Sequence, residues 1–260
     1  MIPNIIHSTG PTDKSKWHPV WNHCMKSWKN KFTEDKFTHI LWNDEQLDQQ
    51  VRQYYSKYWE FYQSLPFHIM RIDFAEYCLM HKYGGIYHDL DMYCYKNFYN
   101  DIKNQDFVVL ESCMPDEFIQ NCMMASSPGD LYWIDLMDEI VRTFYNYPDV
   151  PDVEKGKTLD QSFYVKDTTS CYMMSRFTLR YHRPVAILSK DQYNPSCNTY
   201  CDTHKTKHML TNIWGKDYIE GNIKNMGTWE SGRFKDLQDW YIHFYKQRNN
   251  LDKDALGENA

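Results

Sequence analysis

The 260-residue chain has no apolar run approaching the ~20 residues that cross a bilayer, so no transmembrane segment is expected. It has no excess of positive charge. The formal net charge is −6, which gives no electrostatic reason to bind nucleic acid or an anionic lipid surface. The start, Met1-Ile2-Pro3-Asn4, lacks a basic segment followed by a long apolar one, so a secretory leader is not expected. No internal repeat and no low-complexity tract is visible, which argues against a repeat array or a linker-rich chain. No Ser/His/Asp triad and no nucleophilic Cys/His pair can be assembled from its motifs.

Hydrophobic residues make up 42% and charged residues 25%, the balance of an ordinary globular protein. The length suits one large α/β domain or two small ones. There are eight cysteines. Most lie in apolar or strand-like runs, as buried free thiols do, and a chain of this size does not need disulfides. A reducing, cytoplasmic setting is the expectation. A membrane-anchored or secretory-pathway parent whose anchor lies outside these residues is the alternative. Aromatics reach 17%, with 21 tyrosines. They suit stacking on sugars and bases, though biased codon usage is the plainer reading.

Apolar positions recur at helical spacing over residues 17–30, 53–64, 130–145 and 232–247. The clearest amphipathic stripe runs through residues 68–83, with Ile69, Ile72, Tyr77, Met80 and Tyr83. Gly84-Gly85 is expected to end that helix in a left-handed cap. Asn43-Asp44-Glu45 reads as an N-cap and first turn. Short apolar runs predict strands near residues 2–7, 37–42, 86–87, 106–111, 118–126 and 184–188. Residues 147–160 read as a loop, and the stretch to about 230 is loop-rich. Strands alternating with helices predict an α/β sheet protein. The expected organisation is one domain over 1–248 and a polar tail over 249–260.

The most informative stretch is Gly84-Gly85-Ile86-Tyr87-His88-Asp89-Leu90-Asp91. On an extended segment, residues two apart project to the same side. Asp89 and Asp91 are therefore expected to emerge together from a strand end. Close carboxylates repel unless a cation lies between them. A hard divalent ion such as Mg²⁺ or Mn²⁺ meets that need and keeps positions open for phosphate oxygens. A pair of surface acids closing a strand is the alternative. Elsewhere, Cys197-x₃-Cys201-x₂-His204-x₃-His208 allows three readings: a tetrahedral zinc site, a Cys197–Cys201 disulfide, or unconnected residues. Trp240, Tyr241, Ile242, Phe244 and Tyr245 could touch a membrane surface, but their mixed-charge surroundings favour packing on the core.

GGIYHDLD, preceded by a helix bearing Arg71-x-Asp73, resembles the DXD-containing sugar-transferase region of glycosyltransferase family 32, whose core is shared by the glucosylating clostridial toxins. The opening Ile2-Pro3-Asn4-Ile5-Ile6-His7, Trp28-Lys29 and Leu41-Trp42-Asn43-Asp44 are similar to other parts of its pattern. The resemblance covers residues 2–98. It implies a GT-A fold, a Rossmann-like sheet with helical additions and a sugar nucleotide at the carboxyl ends of its strands. It also implies retaining transfer of a sugar, dependent on Mn²⁺ or Mg²⁺. A UDP-hexose donor and a glycan or glycoprotein hydroxyl acceptor are expected. GDP-mannose is the alternative donor, and a nucleotide-sugar-binding protein with impaired catalysis is the third reading.

The resemblance makes Asp91 the direct metal ligand, with Asp89 reaching ribose and metal, and Asp73 reading donor-sugar hydroxyls. It places Arg71, Gly85 and Tyr87 near the donor, with a structural salt bridge the alternative for Arg71. It places His7, Ser8, Thr9 and Trp42 near the nucleotide, with a satisfied structural histidine the alternative for His7 and a core position for Trp42. His208, six residues before Trp214, is implied as a further metal or diphosphate contact. Gly227-Thr228-Trp229 is a rival for that role. Thr169-Ser170-Cys171 lies about where relatives place a turn near the sugar. Glu76 departs from the pattern, since many relatives carry arginine there. An acid beside Asp73 weakens diphosphate binding unless it is paired.

Overall fold

Neighbouring residues on the central strands face opposite ways, and each face meets a different layer. Tyr87, Val109 and Met124 enter one apolar core, while Ile86, Val108 and Met123 enter the other. This period of two is what a strand covered on both faces requires. The computed structural model describes residues 1–113, 118–147, 159–195 and 201–209.

The chain opens with β1 (Ile5–Thr9), α1 (Pro19–Lys31), β2 (Thr38–Trp42) and α2 (Asp44–Tyr54). Next come α3 (Trp59–Ser64), α4 (His68–Tyr83), β3 (Gly85–His88), β4 (Met92–Cys94) and α5 (Tyr99–Ile102). Then follow β5 (Phe107–Glu111), β6 (Ile119–Ser126), α6 (Leu131–Tyr145), α7 (Leu159–Thr168) and α8 (Cys171–Arg180). The last described elements are β7 (Ala186–Leu188), α9 (Lys190–Tyr193) and β8 (Thr206–His208). The six-stranded sheet has the order β2-β1-β3-β6-β5-β7. β1 runs parallel to β2 and β3, β5 runs parallel to β7, and β6 is antiparallel to both its neighbours. The α/β expectation holds in a mixed sheet. From β2 the chain crosses β1 to reach β3. Such a reversal opens a crevice at the carboxyl ends of parallel strands.

Local chemistry explains the elements that frame this crevice. Asn43 caps α2 by accepting from the Gln46 amide, and the Gln46 side chain returns the bond to the Asn43 amide. This reciprocal box fixes the turn out of β2. On α4 the expected stripe widens: every residue from Asp73 to Met80 is buried. A helix buried on all sides needs apolar residues beyond one stripe, and α4 packs under α2, α6 and β6. Gly84 ends it with φ +60° and ψ −152°. The φ is positive as expected, but the exit is extended rather than left-handed helical, so the chain passes straight into β3. Among the described residues, no helix is long and apolar enough to cross a membrane. The expected helix at 232–247 and tail at 249–260 lie outside the described residues, as does most of the 147–160 loop.

Candidate active site

β3 stops at His88, one residue before the first aspartate. The Asp89 amide donates to the Cys122 carbonyl at 2.9 Å, and the Met92 amide donates back to the Asp89 carbonyl at 3.0 Å. Asp89 to Met92 therefore form a tight turn. The two acids come together on this turn, not on an extended strand end as the sequence suggested. The chain then enters β4, which pairs antiparallel with β8 so that Met92 lies opposite His208. This pairing brings His208 Nε2 to 3.1 Å from Asp91 Oδ1. One ligand atom each from Asp89, Asp91 and His208 lies within 4.8 Å of the others.

The electrostatics fit a cation. Burial and the Asp91 charge push the Asp89 carboxyl up to about 6. Burial works against charge on His208, but Cys122 and Asp91 outweigh it and raise the imidazole well above its usual value. Two carboxylates and one imidazole form a mixed oxygen and nitrogen donor set, which Mn²⁺ accepts and Mg²⁺ takes less readily.

The turn rests on a rigid backing. His88 is fully buried and stacks on Trp28, with ring centroids 3.9 Å apart and planes 6° from parallel. Its Nδ1 lies 2.9 Å from the Asp89 carbonyl and its Nε2 3.2 Å from the Ser8 hydroxyl. A carbonyl only accepts, so Nδ1 carries the proton and Nε2 accepts from Ser8. Burial lowers the pKa of His88 to about 3, so the ring is neutral. Nothing local in the sequence signals this support beyond the presence of a histidine inside the motif.

Several residues expected at the nucleotide have their polar groups used inside the fold. His7 Nε2 donates to the Gly84 carbonyl at 2.9 Å, and its Nδ1 accepts from Trp42 Nε1 at 3.0 Å. Both ring nitrogens are used inside the fold, and burial lowers its pKa to about 4. Trp42 is buried and stacks on His7 and Tyr83, so it is core and not a base platform. The Ser8 hydroxyl is turned inward to His88. Gly85 is a backbone requirement rather than a contact, since a Cβ there lies 2.5 Å from the Ile5 carbonyl oxygen. Arg71, two residues before Asp73 and so about 200° round the helix, lines a separate cleft with Asp44, Trp59 and Tyr62.

Asp73, Thr9 and Tyr87 do converge with the motif. Asp73 is 3% exposed; its Oδ1 accepts from Asn121 Nδ2 at 2.9 Å and its Oδ2 from the Thr169 hydroxyl at 2.8 Å. Ser170 in turn donates to Asn121 Oδ1 at 3.0 Å. Burial pushes Asp73 up to about 7; the Thr169 and Asn121 bonds oppose this, and the Asp89 charge adds to it. Thr169-Ser170 was marked in the sequence, whereas Asn121 carries no sequence signal. The Tyr87 hydroxyl lies 2.5 Å from Glu76 Oε1, 2.7 Å from Asp89 Oδ1 and 3.0 Å from the Thr9 hydroxyl. A phenol has one hydrogen and cannot serve two bare carboxylates. Burial, with Asp89 and Asp73 nearby, raises Glu76 well above the usual carboxylate range. A protonated Glu76 donates to Tyr87, and Tyr87 donates onward to Asp89. Glu76 is thus paired through hydroxyls, not by a cation.

These shifts set a pH dependence. Asp73 and Asp89 titrate higher in the folded protein than in the unfolded chain. The stability they contribute is present at low pH and is lost as pH rises through about 6 to 7. The raised His208 acts in the same direction over this range. His7 and His88 have lowered values and oppose the carboxyls only below about pH 6.5, where the unfolded chain takes up protons. The melting temperature of metal-free protein is therefore expected to fall from pH 6 to pH 8, with Mn²⁺ suppressing the fall. A scanning-fluorimetry series checks it; a metal-free rise over that range contradicts it.

The cysteine and histidine series divides. Cys201 is exposed, with its amide on His204 Nδ1, and His208 faces Asp91. Among the described residues, the potential metal-binding groups do not include Cys201 or His204. Cys197, Trp214 and Gly227-Thr228-Trp229 lie outside the described residues.

Residues 19–109 match the family described as "Glycosyltransferase sugar-binding region containing DXD motif". Inositol phosphoceramide mannosyltransferase 1 of Schizosaccharomyces pombe is 25% identical over 237 residues, covering 86% of this chain and 68% of that protein. "Uncharacterized glycosyltransferase L373" of Acanthamoeba polyphaga mimivirus is 32% identical, covering 37% of this chain and 38% of that one. The chain thus spans about two thirds of one relative and well under half of the other. The solved PaToxG glycosyltransferase superposes over 69% of each chain with a TM-score of 0.48 and 12% identity. The Asp89–Asp91 turn and Asp73 both fall inside the matched stretch, which is similar to the DXD-containing sugar-binding region of glycosyltransferases.

Proposed function

We propose that this protein transfers a hexose from a nucleoside-diphosphate sugar to a hydroxyl acceptor, with Asp89, Asp91 and His208 holding a divalent cation. The observation that carries the reading is the convergence of those three side chains within 4.8 Å, at the carboxyl end of β3 and beside Asp73. When bound, Mn²⁺ or Mg²⁺ neutralises the charge of the diphosphate leaving group. The chain's own residues set the geometry. His88 and Trp28 hold the turn in place from behind. Tyr87 orients Asp89 through its hydroxyl. Asn121 and Thr169 fix the Asp73 carboxylate so that its remaining lone pairs face sugar hydroxyls without reorganisation. Retention of the anomeric configuration, which the family resemblance implies, is checked by NMR of the product.

The donor base and sugar have two readings. A UDP-hexose follows from the sequence resemblance. Mannose is favoured by the names of the fungal relatives, three of which are inositol phosphoceramide mannosyltransferases, and makes GDP-mannose the second donor to test. The experiment is a thermal-shift screen of UDP-glucose, UDP-galactose and GDP-mannose with and without Mn²⁺. A donor at 100 times its dissociation constant adds about 2.7 kcal/mol by mass action. A metal-dependent rise with one donor class is expected. No rise with any donor in the presence of Mn²⁺ or Mg²⁺ sinks the proposal.

A further inference from the structure

Glu76 stands three residues after Asp73 on α4, so both acids share one face of that helix. Its side chain is 2% exposed. Oε1 is occupied by Tyr87 at 2.5 Å and Thr9 at 3.2 Å, whereas Oε2 is buried with no hydrogen-bond partner. A buried acceptor left unmatched is costly, and native proteins rarely keep one that nothing fills. Among the described residues, no lysine or arginine pairs with Asp73, Glu76 or Asp89. The cluster therefore offers acceptors and no positive charge of its own.

We infer that Glu76 Oε2 receives a hydroxyl of the donor hexose, so that Asp73 and Glu76 together select an uncharged sugar ring and disfavour a hexuronate. The inference rests on the donor-site reading above and adds its selectivity. A polyol supplies hydroxyl donors without charge, which is what the unmatched oxygen and the free lone pairs of Asp73 can accept. A sugar carboxylate instead places another acid beside Asp73 and Asp89, where like charges in a buried site repel, and it brings no hydroxyl for the Glu76 oxygen. A purely structural glutamate needs only the oxygen that faces Tyr87 and Thr9. The second oxygen has no such use.

Calorimetric titration with Mn²⁺ present tests this, using UDP, UDP-glucose and UDP-glucuronate, and the matching set GDP, GDP-mannose and GDP-mannuronate. In the unaltered protein, the neutral sugar nucleotide is expected to bind at least about tenfold more tightly than its hexuronate, the scale of one lost charge-assisted hydrogen bond. Glu76→Leu removes the acceptor at Oε2, whereas Glu76→Gln, whose amide donates to Tyr87 as the protonated acid does and leaves a carbonyl at Oε2, is the conservative control expected to keep the wild-type ratio. Glu76→Leu should narrow that ratio by about tenfold while free nucleoside diphosphate still binds. Equal binding of hexose and hexuronate forms by wild type overturns the inference, as does an unchanged ratio in a folded Glu76→Leu. Should that variant not fold, the wild-type ratio alone decides. Failure of UDP and GDP alike to bind removes the donor-site reading as well. Nucleotide binding without sugar discrimination removes only the role of Glu76.

Discussion

Asp91→Asn is expected to reduce metal-dependent donor turnover by about 10²-fold or more while leaving the protein folded. Asp91 is 6% exposed and faces His208 across 3.1 Å. Its carbonyl also accepts from the Met209 amide at 2.9 Å. That backbone bond does not depend on the side chain, so the turn and the β4–β8 pairing persist in the variant. Asparagine keeps the shape and one oxygen but loses the charge. Removing one preorganised electrostatic partner of a developing charge costs about 3–4 kcal/mol, a rate factor of 10²–10³. The readouts are initial rates across a Mn²⁺ titration and the melting temperature. Excess Mn²⁺ should recover part of the loss if weakened metal binding is the cause. Full activity in a folded Asp91→Asn would falsify the metal assignment.

Gly85→Ala is expected to cause a large loss of stability. Gly85 has φ +91°, and an added Cβ meets the Ile5 carbonyl oxygen at 2.5 Å and the Ile5 Cβ at 3.1 Å. The first neighbour is backbone on β1, in the middle of the sheet, and cannot rotate away. The positive φ alone costs an L-residue roughly 1–2 kcal/mol. Forcing atoms into a packed region adds roughly 1–3 kcal/mol. Together they predict a loss of about 3–4 kcal/mol, which for a chain of this size lowers the melting temperature by roughly 10 °C. The damage also reaches the site, because β3 carries Tyr87 and leads into Asp89. Thermal and urea unfolding measure it. A variant within a degree of wild type shows that β1 and β3 are not packed as described.

Local chemistry made much of this legible. The helical stripe of residues 68–83 and the Gly-Gly break announced α4 and β3 because both signals lie within a few residues of each other. Asp89 and Asp91 announced a carboxylate pair because their proximity is fixed by the chain itself. The route was misread, since a turn and an extended strand both bring residues two apart to one side. Contacts across long separations left no local trace. Asn121 and Thr169 hold Asp73 from 48 and 96 residues away. For His7 and Trp42 the strand ends leave both a nucleotide contact and a buried structural place open. Each satisfies the other inside the fold, which no pattern of spacing reveals. Glu76 looked like a misplaced charge from sequence, and only the Tyr87 and Thr9 hydroxyls show how it is accommodated.

The short pairing of β4 with β8 has a consequence for how this protein is divided. The matched stretch ends at residue 109 and holds both aspartates, but His208 arrives nearly a hundred residues later. A fragment stopping before β8 retains every strand of the six-stranded sheet and loses His208, one of the three proposed ligands. Strand order and cation affinity are thus separable properties of this chain. A three-residue strand gains little from its own hydrogen bonds, so on the cation-site reading proposed above a bound cation should steady β8. Amide exchange in residues 206–208 should slow when Mn²⁺ is added, while exchange at β1 should not change.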